Sequence, residues 1–174
     1  MKHPTRSARF DAILLPHLDA AHNLARWLLG NHPDAEDTVQ EAYLRALTYF
    51  DSFHGDDGRA WFLAIVRHTC FEWLNKRRRY VELPAEHLEL ARDGRPSPEA
   101  IQLRNADRAA VQRGLEALPP EYREVLVLRE MEEMSYKQIA RITDVPIGTV
   151  MSRLARARRR LLEALTAAPG KETV

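Results

Sequence analysis

The chain of 174 residues carries a single cysteine, Cys70. An intrachain disulfide is therefore excluded, and one lone thiol fits a reducing compartment. Glycine is scarce, with seven residues, and neither a glycine-rich phosphate loop nor a nucleophile elbow occurs. No apolar run nears the roughly 20 residues that cross a bilayer, so no membrane insertion is expected. The N-terminus, Met1-Lys2-His3-Pro4-Thr5-Arg6, has basic residues with no apolar stretch behind them. A secretory signal is not expected, and the expected localisation is cytoplasmic. The seven histidines lack metal-ligand spacing such as an i, i+4 pair followed by a carboxylate. Neither a metal, a cofactor nor an enzyme activity such as a metal-dependent nuclease is expected.

What is present is helical. Hydrophobic residues make up 45% and charged residues 29%, an ordinary globular content. Apolar residues recur with helical spacing, and no strand-type alternation competes with it. The clearest break runs from Leu83-Pro84 to Asp93-Gly94-Arg95-Pro96-Ser97-Pro98. The expected fold is all-α, with two small helical domains: an N-terminal helical bundle over 8–80, a flexible linker over 81–106, and a C-terminal helix-turn-helix domain over 107–167.

The net charge of +1 conceals a segregation. Lys76-Arg77-Arg78-Arg79 forms one basic block, and Arg153, Arg156, Arg158, Arg159 and Arg160 another. Acids gather in Asp34-Ala35-Glu36-Asp37 and in Glu82, Glu86, Glu89 and Asp93. Two basic patches suit a polyanion, although cations at helix C-termini also stabilise a helix alone.

The C-terminal block carries more information. Ser135-Tyr136-Lys137-Gln138 reads as a capping box opening a short helix. Pro146 disfavours helical geometry at Val145 and ends it. A second helix then runs from near Ile147 to about Leu165, with Val150, Leu154, Ala157, Leu161 and Leu165 as its core stripe. Thr149, Ser152, Arg153, Arg156 and Arg160 are expected on the opposite face, as a helix entering the major groove requires. A solubilising face would intersperse acids four residues before the bases. None stands between Asp144 and Glu163, which favours DNA binding.

In the N-terminal domain, Asp34 is expected as the cap of a helix whose buried stripe is Ala35, Val39, Ala42, Ala46 and either Phe50 or Tyr49. Asp37, Gln40, Glu41 and Leu44 form a second line away from it. That line suits a basic partner with an apolar pocket, or is simply a solvated acidic face. The next helix, about Gly58 to Arg79, holds Trp61, Phe62, Phe71 and Trp73 before its basic end. Rings beside cations suit single-stranded nucleic acid, while Trp61 and Trp73 at helical spacing are more readily core.

Four segments, in order, resemble the extracytoplasmic-function sigma factors, the small two-domain members of the sigma-70 family. They are Asp34–Ala46, Ala60-Trp61-Phe62-Leu63-Ala64-Ile65-Val66-Arg67, Leu118-Pro119-Pro120-Glu121-Tyr122-Arg123-Glu124-Val125-Leu126, and Gly148–Arg158. The resemblance implies an alternative sigma factor that directs promoter-specific initiation. It implies as partners core RNA polymerase (β′ clamp helices and β flap), promoter DNA and an anti-sigma factor. Asp37, Gln40, Glu41 and Leu44 match the surface gripping the clamp helices. The loop at 52–59 with Arg67, His68 and Phe71, followed by Lys76, Arg77 and Arg78, matches the part that opens the minus-ten element and captures a flipped base. Thr149, Met151, Ser152, Arg153, Ala155, Arg156 and Arg160 lie on the helix that matches the minus-thirty-five reader. The linker matches a segment threaded near the active-site cleft of the polymerase. His68 stands where the family often has Asn, Met151 where a basic residue is common, and Ala155 where the family can carry a larger side chain. The alternative class is a stand-alone helix-turn-helix regulator, which would bind a duplex site by itself.

Overall fold

The computed structural model describes residues 4–30, 32–81 and 102–167. The acidic linker expected to enter the polymerase cleft lies almost wholly outside the described residues. All regular elements among the described residues are helical.

Helix α1 spans Arg6–Leu14 and is capped by the Thr5 hydroxyl, which accepts from the Ala8 N–H at 3.3 Å. A short 3-10 turn around Pro16 leads into α2, Leu18–Leu29. Helix α2 stops at Gly30, whose φ of +70° is left-handed and open to glycine at little strain. Helix α3 spans His32–Tyr49, so it begins ahead of Asp34, the expected cap. Pro33 explains the shift: in the first turn of a helix its missing N–H has no partner to lose. Asp34 then lies within that turn, where a carboxylate faces the positive helix end.

The stripe on α3 is as expected, with Ala35, Val39, Ala42 and Ala46 buried; of its two candidate ends, Phe50 in the following 3-10 turn is buried and Tyr49 exposed. Helix α2 packs on α3, and both bury alanines, Ala21 and Ala25 on α2 among them, which suits close approach of helices. Helix α4, Gly58–Val81, crosses both. The Asp57 carboxylate accepts from the Ala60 N–H at 2.9 Å and so caps its start. Gly58 is required by packing: a Cβ there would lie 2.4 Å from Ile13 Cγ2. Phe10 packs edge-on to Tyr43 and Phe50, with ring centroids 5.0 and 5.1 Å away, and Phe53 leans on Trp61 at 4.9 Å. Trp61 and Trp73 pack against the core while remaining half-buried.

The C-terminal bundle begins with α5, Gln102–Glu116, which starts ahead of the expected boundary at 107. Helix α6, Pro120–Leu126, passes through a π-helical turn at Val127–Met131. Helix α7, Tyr136–Thr143, carries the expected capping box in full: Ser135 Oγ accepts from the Gln138 N–H at 3.1 Å, and Gln138 Oε1 from the Ser135 N–H at 2.9 Å. Asp144 ends it in the left-handed region at φ +54°. Helix α8, Ile147–Thr166, lays Val150, Leu154 and Ala157 into the core, with Leu161 and Leu165 half-buried.

The two bundles touch. Helix α2 packs on α6 and α4 on α7. Gln138 donates to Asp57 at 3.0 Å, and Glu132 accepts from Asn23 at 2.7 Å and Arg59 at 2.8 Å. Arg67 reaches Glu124 across the same seam.

Candidate nucleic-acid interface

The outer face of α3 is laid out as its spacing requires. Asp37, Gln40, Glu41 and Leu44 are exposed, Leu44 by 63%. Beside Gln40 and Leu44 runs a groove lined by Leu18, His22, Val39 and Tyr43. Glu41 is held by Arg45 one turn on, and Arg45 also donates to Glu72 of α4 at 2.6 Å. The face therefore offers acids of fixed geometry beside one large apolar side chain.

The expected minus-ten residues fall into two groups. His68, Lys76 and Arg78 are exposed, and His68 Nε2 sits 3.1 Å from Glu72. Arg77 lies over the Trp73 ring, 5.2 Å from its centroid. Arg67 is engaged instead of free: its Nε and Nη2 donate to the two Glu124 oxygens at 2.7 and 3.1 Å, and it covers the Phe71 ring at 4.4 Å. The loop before α4 shapes a pocket from Ser52, Phe53, His54 and Gly55 against Trp61 and Ala64 of α4. Arg141 of α7 forms its remaining wall.

On α8, Met151, Ser152, Ala155, Arg156 and Arg160 are exposed, Thr149 is half-buried, and Arg160 lies over Tyr122 at 4.8 Å. Arg153 departs from the expected outer face. Its side chain is 23% exposed and turns inward, with Nη1 3.8 Å from Glu124 Oε1. Position 153 follows the core residue Val150 by three, so it flanks the buried stripe. A buried carboxylate there attracts the cation. Arg158 of the same basic block pairs with Glu130.

The sequence profile described as Sigma-70 region 2 matches residues 13–80, and that described as Sigma-70, region 4 matches 108–161. The ECF RNA polymerase sigma-E factor of Escherichia coli is 36% identical over 134 residues, covering 72% of this chain and 70% of that protein. The chain belongs to the ECF sigma factors of the sigma-70 family. RNA polymerase sigma-H factor of Pseudomonas aeruginosa is 32% identical over 165 residues, covering 90% of this chain and 86% of that protein. SigE of Mycolicibacterium smegmatis is 31% identical over 165 residues, and the chain spans only 61% of its length. Among solved structures, RpoE of Bartonella quintana in complex with the anti-sigma factor NepR has a TM-score of 0.71 at 29% identity, covering 92% of this chain and 98% of that one. CnrH in complex with the cytosolic domain of CnrY has a TM-score of 0.64 at 26% identity, covering 94% and 92%. Both regions in one chain favour a sigma factor over a stand-alone regulator.

In this ECF sigma factor the α3 face and the loop side of the pocket fall within region 2, while α7, with the Arg141 wall of that pocket, and α8 up to residue 161 fall within region 4. Two residues of region 4 carry roles that the helical pattern did not single out. Glu124 lies fully buried among Val125, Leu126, Val127 and Leu128. Burial pushes its carboxyl above the ordinary range, while the guanidinium groups of Arg67 and then Arg153 pull it back. Its neighbour Arg123 donates to five backbone carbonyls. A charged residue beside an apolar run was the available signal for both, but it names no partner.

Proposed function

We propose that the chain is the promoter-specificity subunit of a bacterial RNA polymerase, acting in the cytoplasm and doing no chemistry of its own. Asp37, Gln40, Glu41 and Leu44 grip the β′ clamp helices, while region 4 contacts the β flap. His68, Phe71, Lys76, Arg77 and Arg78 with the loop pocket, and Arg67 once released, hold the opened minus-ten strand. Thr149, Met151, Ser152, Ala155, Arg156 and Arg160 face the minus-thirty-five duplex, with Arg153 beside them. The observation carrying this reading is the presence of two exposed reading surfaces on separate bundles, with the acidic α3 face between neither of them and open to a partner. A pocket lined by Trp61 and Phe53 can receive an unstacked base, which offsets the few kcal/mol of extrusion. The anti-sigma factor NepR bound to RpoE of Bartonella quintana supports a similar regulator here.

Run-off transcription with core enzyme on promoters mapped after overexpression tests the reading. Initiation is expected to require both core and this chain, and Asp37→Lys with Glu41→Lys is expected to abolish it while the circular dichroism spectrum stays unchanged. Site-specific duplex binding by a free dimer, with no effect of core, would refute it.

A further inference from the structure

Glu124 is the only fully buried carboxylate among the described residues, and two arginines compete for it. Arg67 comes from the N-terminal bundle and takes both oxygens at 2.7 and 3.1 Å. Arg153, on the recognition helix, stops at 3.8 Å, and its Nη1 is buried with no hydrogen-bond partner. A buried guanidinium nitrogen without an acceptor is unfavourable. This arrangement leaves it one short move from an acceptor that is already engaged.

The promoter geometry dictates which partner Glu124 keeps. Elements centred near minus ten and minus thirty-five lie roughly 25 base pairs apart, or about 85 Å of duplex at ~3.4 Å per base pair. A compact chain of this length has a radius of gyration of about 16 Å. The two bundles in contact cannot read both elements at once. Parting withdraws Arg67 from Glu124, breaks the Gln138–Asp57 bond and both bonds to Glu132 (from Asn23 and Arg59), and frees Arg123 from the Trp27 and Leu28 carbonyls. It also removes Arg141 from the wall of the loop pocket.

We propose that Glu124 is a positioning residue that exchanges arginines. In the closed chain it sequesters Arg67 and keeps Arg141 of α7 on the wall of the loop pocket. In the promoter complex it takes Arg153, which fixes α8 on α6, and frees Arg67 for the minus-ten strand. Arg153 then anchors the recognition helix and reads no base. The inference rests on the sigma-factor reading above, but its first arm needs no polymerase.

That arm measures the distance between spin labels at Ser7→Cys and Ala164→Cys in the full chain, with buried Cys70 left unlabelled. Wild type is expected to give a short, narrow distribution. Glu124→Gln removes the charge with little change of shape, and Arg67→Met removes the other partner. Either is expected to raise the open-to-closed ratio about tenfold or more, as two charge-assisted bonds are lost. Arg67→Met keeps region 4 intact should Glu124→Gln impair folding. Distributions unchanged in the variant that folds would overturn the latch.

The second arm uses holoenzyme on promoters randomised at the minus-thirty-five element. Arg153→Met is expected to lower initiation on all of them by a similar factor, leaving base preference unchanged. A shift in preference at one base position would make Arg153 a reader and overturn the exchange. Wild-type holoenzyme that initiates nowhere would instead refute the functional reading, whatever the distances show.

Discussion

Replacing Arg123 by methionine is expected to be among the most damaging single changes in this protein, although the residue touches neither DNA nor polymerase in the proposed function. Its Nε donates to Leu115 O at 2.8 Å, its Nη1 to Trp27 O and Leu28 O at 2.7 and 3.4 Å, and its Nη2 to Glu116 O and Leu118 O at 2.8 Å. These carbonyls close the ends of α5 and α2, where the last turn of a helix has no N–H of its own to offer. One planar fork therefore caps two helices and ties the bundles together. Burial lowers the affinity of the guanidinium for its proton, with Glu116 opposing, but an arginine stays charged. Bonds from a charged donor contribute ~1.5–3 kcal/mol each, and water can replace some at the exposed rim, so the total loss is about 3–5 kcal/mol. For a chain of this size each kcal/mol moves the melting temperature by ~2–4 °C, hence a fall of roughly 6–20 °C. Urea unfolding followed by circular dichroism reads it as a lower midpoint at constant slope. Arg123→Lys keeps the charge with three donors in no fixed plane and is expected to recover less than half. A methionine variant within ~1 kcal/mol of wild type, or a lysine variant as stable as wild type, would show that the carbonyls need no guanidinium.

Two smaller effects follow from other contacts. Ser135→Ala removes the acceptor of the Gln138 N–H and is expected to cost about 1 kcal/mol, read as a lower urea midpoint, while Ser135→Thr keeps the cap. Cys70 is fully buried, and burial together with the charge of Glu124 pushes its thiol up to about 12. The thiolate is the reactive form, so the native chain is expected to resist disulfide reagents at neutral pH until it unfolds. Rapid labelling under native conditions would show that the thiol is reached without unfolding.

Much of the architecture was legible in the order of residues, because helices are written locally. The stripe Ala35, Val39, Ala42, Ala46 and Phe50 repeats at the helical period, and all five are buried. The capping box at Ser135 spans four residues and formed as read. Asp34 is not the cap for an equally local reason: Pro33 starts a helix as readily as it precedes one. Exposure of Asp37, Gln40, Glu41 and Leu44 also followed from phase on α3.

Pairings between distant residues were not legible. Arg67 and Glu124 lie 57 positions apart, and each sits in a run whose periodicity is satisfied without the other. A pattern of apolar spacing determines which face of a helix is buried. It does not say which charged group waits at the edge of that face. The sequence by itself determined two helical bundles and the exposed lines that face outward from them. Only the tertiary structure decided that Arg67 is held, that Arg153 turns inward, and that Arg123 closes two helix ends. Burial makes those choices, since a charge removed from water must take whatever partner the fold has brought beside it.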